Sequence, residues 1–334
     1  MQRMVWAVLI AFAAALAIGP WGIRQLRRLK LGQAVYELAP ESHQKKQGIP
    51  SMGGLLFAAI ALVLGFALHI GGFDIAGDMT LALAAFSVLN LLIGFLDDYK
   101  KIKAKRNQAG LTERQKIAAQ FVISVAFSAY CYLHPQVGSI IYVPFLGIEW
   151  DLGWAYMPAM VFVIICTTNG ANLLDGLDGL LASVSSVITA FFALLMLLYA
   201  AALNGAAQEN LLNMGILLAA VCGALLGYLR FNLSPAQVFM GDSGSMFLGG
   251  LVVGAAMLTR LPLILPIAAG AYAVSLLSVF LQRMYFKATH GKRIFKMSPL
   301  HHHFELSGVP EPRIVSMYAI VTVLLCLLAF LGVQ

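Results

Sequence analysis

The sequence predicts an all-α membrane protein of about ten transmembrane helices, and three observations carry that expectation. Of 334 residues, 60% are hydrophobic and 11% charged, against roughly 25% charged in a soluble domain. Apolar runs of membrane-crossing length recur along the whole chain, and its cations are confined to alternate linkers. A water-soluble fold could not cover this much apolar surface, so lipid is the expected solvent. A closed β-barrel would need alternating segments of about ten residues. These runs are instead continuous and rich in Leu and Ala.

A helix rising 1.5 Å per residue needs about 20 residues to cross the hydrocarbon. Ten runs approach that length: 4–23, 52–71, 79–96, 117–133, 157–174, 180–203, 211–229, 246–259, 262–286 and 314–333. The eighth is the shortest; it is either tilted or extended back through 242–245. Ten crossings put both termini on one side. Arg24, Arg27, Arg28, Lys30, Lys45 and Lys46 occupy the first linker, and Lys100, Lys101, Lys103, Lys105, Arg106, Arg114 and Lys116 the third. Arg230 follows the seventh run, and Arg283, Lys287, Lys292, Arg293, Lys296 and Arg313 flank the ninth linker. These are 20 of the 22 Lys and Arg; Arg3 and Arg260 fall opposite. The positive-inside rule makes the basic linkers cytoplasmic and both termini external.

The net charge of +7 thus reads as topology, and no nucleic-acid partner is expected. Positive charge follows the first apolar run, which favours a retained span over a cleaved signal peptide. Cys131, Cys166, Cys222 and Cys326 lie in apolar stretches without CxxC spacing, as buried reduced thiols do. The linker 134–156 alternates Pro135, Gly138, Pro144 and Gly147 with β-branched and aromatic residues, which suits a small hairpin. No second domain is indicated, so 1–334 reads as one membrane unit.

The unusual chemistry lies on the basic edges. Asp97 and Asp98 end the third run. Adjacent carboxylates 4 Å apart repel by about 4 kcal/mol at an effective dielectric of 20. A divalent cation or a shared proton would relieve this; a solvated helix end beside Lys100 and Lys101 is the alternative. Asn169 to Gly179 crowds Asn172, Asp175, Gly176, Leu177 and Asp178 into one turn. That density of amides, acids and glycines suits metal-bound phosphate or sugar hydroxyls better than simple turn capping. Phe231 to Ser245 contains Asn232, Phe239, Gly241 and Asp242. Its Gly-Asp-Ser-Gly-Ser places a hard oxygen ligand at a helix start, where phosphate is favoured. Phe239 either stacks on a base or packs.

His301, His302 and His303 precede Glu305. Consecutive histidines rarely converge on one tetrahedral metal, so phosphate contact or proton transfer suits them better. Lys46, Lys101, Lys105 and Lys116 attract anionic substrates or serve as topogenic charge and headgroup contacts. A transporter would carry its polar residues near the midplane on broken helices. Their place at one edge points instead to Mg²⁺-assisted phosphoryl transfer between a soluble nucleotide and a lipid phosphate.

The motifs Pro50-Ser-Met-Gly-Gly54, Asp97-Asp98-Tyr99, Asn169 to Gly179, Phe231 to Ser245 and Gly291 to Glu305 resemble the polyprenyl-phosphate N-acetylhexosamine-1-phosphate transferase superfamily. The likeness covers essentially the whole chain, and the triple-histidine segment is its most specific part. It is similar to the branch that moves phospho-N-acetylmuramoyl-pentapeptide from UDP to undecaprenyl phosphate at the cytoplasmic face of the bacterial plasma membrane, giving lipid I and UMP. The resemblance implies a ten-helix fold, Mg²⁺ and a homodimer. It implies Asp97, Asp98 and Asp242 as catalytic carboxylates, Asp242 as the Mg²⁺ ligand, and His301 and His302 at the same site. Lys46, Gly176, Leu177, Asp178 and Phe239 match the uridine pocket, and Ser51, Asn172, Asp175 and Gly241 match positions near the diphosphate. A related transferase for UDP-N-acetylglucosamine is the competing reading, and the histidine segment argues against it. Ile49, Ser51 and Val309 depart from the usual pattern.

Overall fold

The computed structural model describes residues 1–29, 48–71, 79–104 and 109–333. Lys46 and Lys105 lie outside them. In chain order the elements are α1 (Gln2–Arg28), α2 (Gly54–Ala67), α3 (Met79–Ala104) and α4 (Glu113–Leu133). Then come β1 (Ile140–Val143), β2 (Ile148–Asp151), α5 (Tyr156–Leu174), α6 (Leu180–Ala201), α7 (Gly205–Asn232) and α8 (Gly241–Leu258). A 3₁₀ turn (Pro262–Ile264) leads into α9 (Leu265–Ala268), α10 (Gly270–Ala288), α11 (Leu300–Glu305) and α12 (Glu311–Leu331).

Among the described residues eight helices are long and apolar enough to cross a membrane, or nine if the bent pair Pro262–Ala268 and Gly270–Ala288 is one span. The protein is therefore a polytopic helical membrane protein. Two expected spans differ. The second is only the 14 residues of α2, or about 21 Å at 1.5 Å per residue: it begins after Met52, whose φ is +66°, and ends at Leu68, beyond which the Leu68 and His69 carbonyls take Arg3 and Ile70 N takes Asn213 Oδ1. The ninth is broken by 82°. Pro262 and Pro266 withdraw backbone donors there, and Ala269 leaves helical dihedrals at φ −104°, ψ 33°. The eighth starts at Gly241, so 242–245 belongs to the helix.

The core is the pair α7 and α8, which are buried on nearly all sides. Glycine allows the closest approaches. Gly54 of α2 lies against the backbone of Gly244 in α8, and Gly94 of α3 against the carbonyl of Asp242. A side chain at either point would overlap main-chain atoms. Both chain ends lie at one end of the bundle. Arg3 donates to the Leu68 and His69 carbonyls beyond α2, while Phe145 N donates to the Gly332 carbonyl. The expected hairpin forms there, with β1 and β2 antiparallel and Ile140 opposite Asp151. The carboxylates gather at the other end.

Candidate active site

Two helix ends bring the acids together. Asp97 and Asp98 lie in the last turns of α3, and Asp242 is the second residue of α8. Lys116 enters from the first turn of α4, fixed there by a reciprocal cap. Thr112 Oγ1 accepts from Gln115 N at 3.2 Å, and Gln115 Oε1 accepts from Thr112 N at 3.2 Å. Asn172 comes from the last turn of α5.

Asp242 is the hub. Its Oδ2 accepts from Lys116 Nζ at 2.7 Å and Lys101 Nζ at 3.1 Å. Its Oδ1 accepts from Asn172 Nδ2 at 3.0 Å. The same amide donates to Ser245 Oγ at 2.8 Å. Asp97 shares the cations, with Oδ2 2.6 Å from Lys101 Nζ and 3.7 Å from Lys116 Nζ. Its Oδ1 accepts from Leu111 N at 2.7 Å. Two carboxylates and two ammoniums thus form one compact cluster, its lysines only partly exposed.

Asp98 does something different. It is buried, and its oxygens accept from Asp242 N at 3.2 Å and Ser243 N at 3.0 Å. It caps α8 from another helix. The amides expected to receive phosphate are therefore already taken, and the anion-binding charge near Asp242 is lysine. Gly241, at φ +75°, makes the turn into α8; a Cβ there would lie 2.6 Å from Asp98 Oδ2 and 2.9 Å from Ser51 Oγ. Ser51 Oγ is buried without a hydrogen-bond partner among the described residues. Ser51 is held close by a pairing of its segment with the start of α8: Phe239 N donates to the Pro50 carbonyl, and Gly53 N to the Phe239 carbonyl.

The turn between α5 and α6 joins this cluster to the histidines. Gly176 leaves just enough room for the imidazoles: a Cβ there would collide with His301 Nε2 and lie 2.9 Å from His302 Nε2. His302 Nδ1 is 3.0 Å from Glu305 Oε2, which orients the ring. His301 is fully buried. His303 turns away; its Nδ1 accepts from Lys296 N at 3.1 Å and ties down its own loop. Burial, followed by the charges of Asp242, Asp98 and Asp178, pushes the half-buried Asp175 carboxyl well above the usual carboxylate range. Leu177 and Asp178 are buried, and Phe239 is half-buried.

Asp178 and Asn232 hold backbone. Asp178 Oδ2 accepts from Ala236 N at 3.1 Å, and Asn232 Nδ2 donates to the Val238 carbonyl at 2.9 Å. Two supports were missed by sequence reasoning. Glu311, at the start of α12, accepts from Asp178 N at 2.7 Å. Buried Gln120, one turn beyond Lys116, accepts from Asn169 Nδ2 at 3.1 Å and donates to Thr168 Oγ1 at 3.2 Å. It thereby aligns α4 with α5. A polar residue recurring four positions after Lys116 was the available signal.

Such a helical bundle, with acids, amides and lysines at one end, has the form of a membrane transferase, and residues 80–260 match the model of glycosyl transferase family 4. That match runs from α3 through α8. A phospho-N-acetylmuramoyl-pentapeptide-transferase of Clostridium novyi (strain NT) is 43% identical over 332 residues, covering 99% of this chain and 97% of its own length. The proteins of that name from Clostridium acetobutylicum and Thermoanaerobacter sp. (strain X514) are 40% and 43% identical over 333 residues. Each spans 99% of this chain, and they are covered over 99% and 98% of their own lengths. The chain belongs to the phospho-N-acetylmuramoyl-pentapeptide-transferases of glycosyl transferase family 4.

Proposed function

We propose that the protein transfers phospho-N-acetylmuramoyl-pentapeptide from its UDP-activated form to undecaprenyl phosphate, giving lipid I and UMP in peptidoglycan synthesis. The observation that carries this reading is the Asp97–Asp242 pair, bridged by Lys101 and Lys116 and joined through Asn172 to the turn that cradles His301 and His302. Two anions must meet in this reaction, and two ammoniums beside paired acids suit their approach. Phe239 and the Gly176–Asp178 turn are assigned to the uridine end, with Ser51, Asn172, Asp175 and Gly241 nearer the diphosphate.

The donor set fits Mg²⁺ of one kind. Among the described residues no group of three or more His, Cys, Asp or Glu side chains could cage a metal. Mg²⁺ commonly takes only one or two carboxylates, with phosphate oxygens and water completing the octahedron. Asp242, with Asp97 beside it, would hold such an ion, which would supply charge neutralisation at the diphosphate.

The acceptor phosphate monoester, with a second pKa of about 6, is largely dianionic at pH 7. It needs positioning more than activation. Its oxygen bonds to the β-phosphorus as the bond to the bridging oxygen breaks and UMP leaves, with inversion. Asp97 or Asp98 takes any remaining proton. The positive-inside pattern supports a cytoplasm-facing site. The homodimer is assigned on family resemblance.

Purified protein should release UMP from UDP-N-acetylmuramoyl-pentapeptide only when undecaprenyl phosphate is added, and chelation of Mg²⁺ should stop it. Equal turnover of UDP-N-acetylglucosamine would sink the substrate assignment. A stoichiometric UMP burst without any lipid acceptor would sink direct attack.

A further inference from the structure

The end of α10 and the loop after it carry a basic surface outside the carboxylate cluster. No acid occurs between Asp242 and Glu305, while Arg283, Lys287, Lys292, Arg293 and Lys296 fall within 14 residues. All five are exposed. The inner face of α10 is buried at Tyr272, Ser275, Ser278 and Gln282, whereas Leu277, Phe280, Leu281 and Met284 are exposed. The helix therefore presents an apolar flank that ends in cations.

The loop is held in place. Gln282 Oε1 accepts from Ile294 N at 3.1 Å and Phe295 N at 3.0 Å, and its Nε2 donates to the Phe295 carbonyl at 3.0 Å. Lys296 Nζ is engaged with the Leu306 carbonyl at 3.1 Å. Arg283, Lys287 and Lys292 face outward, the last beside exposed Ile294, as does the rest of the Arg293 guanidinium, whose Nη1 donates to the Lys296 carbonyl at 3.4 Å. Cations near a helix C-terminus satisfy the macrodipole, but that effect fades within a turn and leaves Lys292 and Arg293 unexplained.

We propose that Lys287, Lys292 and Arg293 form a docking surface for the anionic phospholipid headgroups of the leaflet in which α10 ends, with Ile294 seated among them. Charge complementarity selects the occupant: a basic segment that carries no acid of its own, beside a lipid-facing helix, matches a phosphodiester layer with net negative charge. Each such cation contributes about fivefold near a membrane surface, so three contribute on the order of a hundredfold.

The test titrates the full chain in detergent with phosphatidylglycerol or phosphatidylcholine, counting bound lipids by native mass spectrometry. Wild type should prefer phosphatidylglycerol, and Lys287→Gln/Lys292→Gln/Arg293→Gln should lose roughly a hundredfold of that preference. Lys100→Gln/Lys103→Gln/Arg114→Gln removes the same charge elsewhere and should keep it. Equal loss in both variants would reduce the effect to net charge and overturn the assignment. So would retention by the first variant, displacement by inorganic phosphate, or displacement by stoichiometric polyprenyl phosphate. The readout is lipid binding, so it stands apart from the transferase assay.

Discussion

Replacing Asp98 by Asn separates two roles that a buried carboxylate beside an active site can have. Its oxygens receive the N–H groups of Asp242 and Ser243 at the start of α8. Asn keeps one acceptor but turns an NH₂ towards the other N–H, leaving that donor unsatisfied. A buried donor left without its partner costs about 1–3 kcal/mol. Asp98→Asn should therefore destabilise the fold by roughly 1–3 kcal/mol. Thermal melts of the full chain in detergent should show Tm falling by about 2 °C or more. UMP release should fall with it, because Asp242 moves with the turn that Asp98 anchors. An unchanged Tm with activity abolished would refute the capping role and mean that Asp98 acts on substrate.

Lys116→Met removes the closest cation from Asp242 and should lower kcat roughly 100- to 1000-fold, read as UMP release; near-normal turnover would exclude Lys116 from the charged site. Asp175 has a raised pKa, so its ionised form opposes folding, and its stability contribution falls as pH rises through the folded value. Asp175→Asn should accordingly raise Tm at pH 8 more than at pH 5 while lowering transfer; a Tm gain independent of pH would show that the charge is not the cause. Phe239→Ala should weaken uridine-containing inhibitors by about 1–3 kcal/mol in competition binding, and unchanged affinity would leave Phe239 as a packing residue.

The long helices were legible because a continuous apolar run has few other fates in lipid. The shortness of α2 was not, since 52–53 and 68–71 continue its apolar run and are diverted only by partners distant in sequence, Gly53 by Phe239 and 68–70 by Arg3 and Asn213. The bend before α10 was signalled by Pro262 and Pro266, but neither residue specifies an 82° angle. Local crowding of unusual residues marked Asp97, Asp242, Asn172 and the histidines. Crowding alone could not separate their roles, since Asp98 faces backbone, Asn232 closes a loop and His303 holds its own segment. Gln120 and Glu311 escaped notice because each gains its partner only through helix packing.

The glycine contacts of α2 and α3 with α8 determine which parts of the site can move. Gly54 and Gly94 bring main chain against main chain, so no rotamer change can lengthen or shorten those crossings. Ser51, Asp97, Asp98 and Asp242 therefore travel as one rigid plate. A crossing of the same kind joins α5 to α8, where Gly249 lies against the Thr168 main chain, so opening to admit a bulky nucleotide sugar falls to the parts beyond it: the 172–179 turn and the histidine segment packed on Gly176. A cross-link between those two should trap the ligand or exclude it, whereas one between α2 and α8 should leave exchange unchanged.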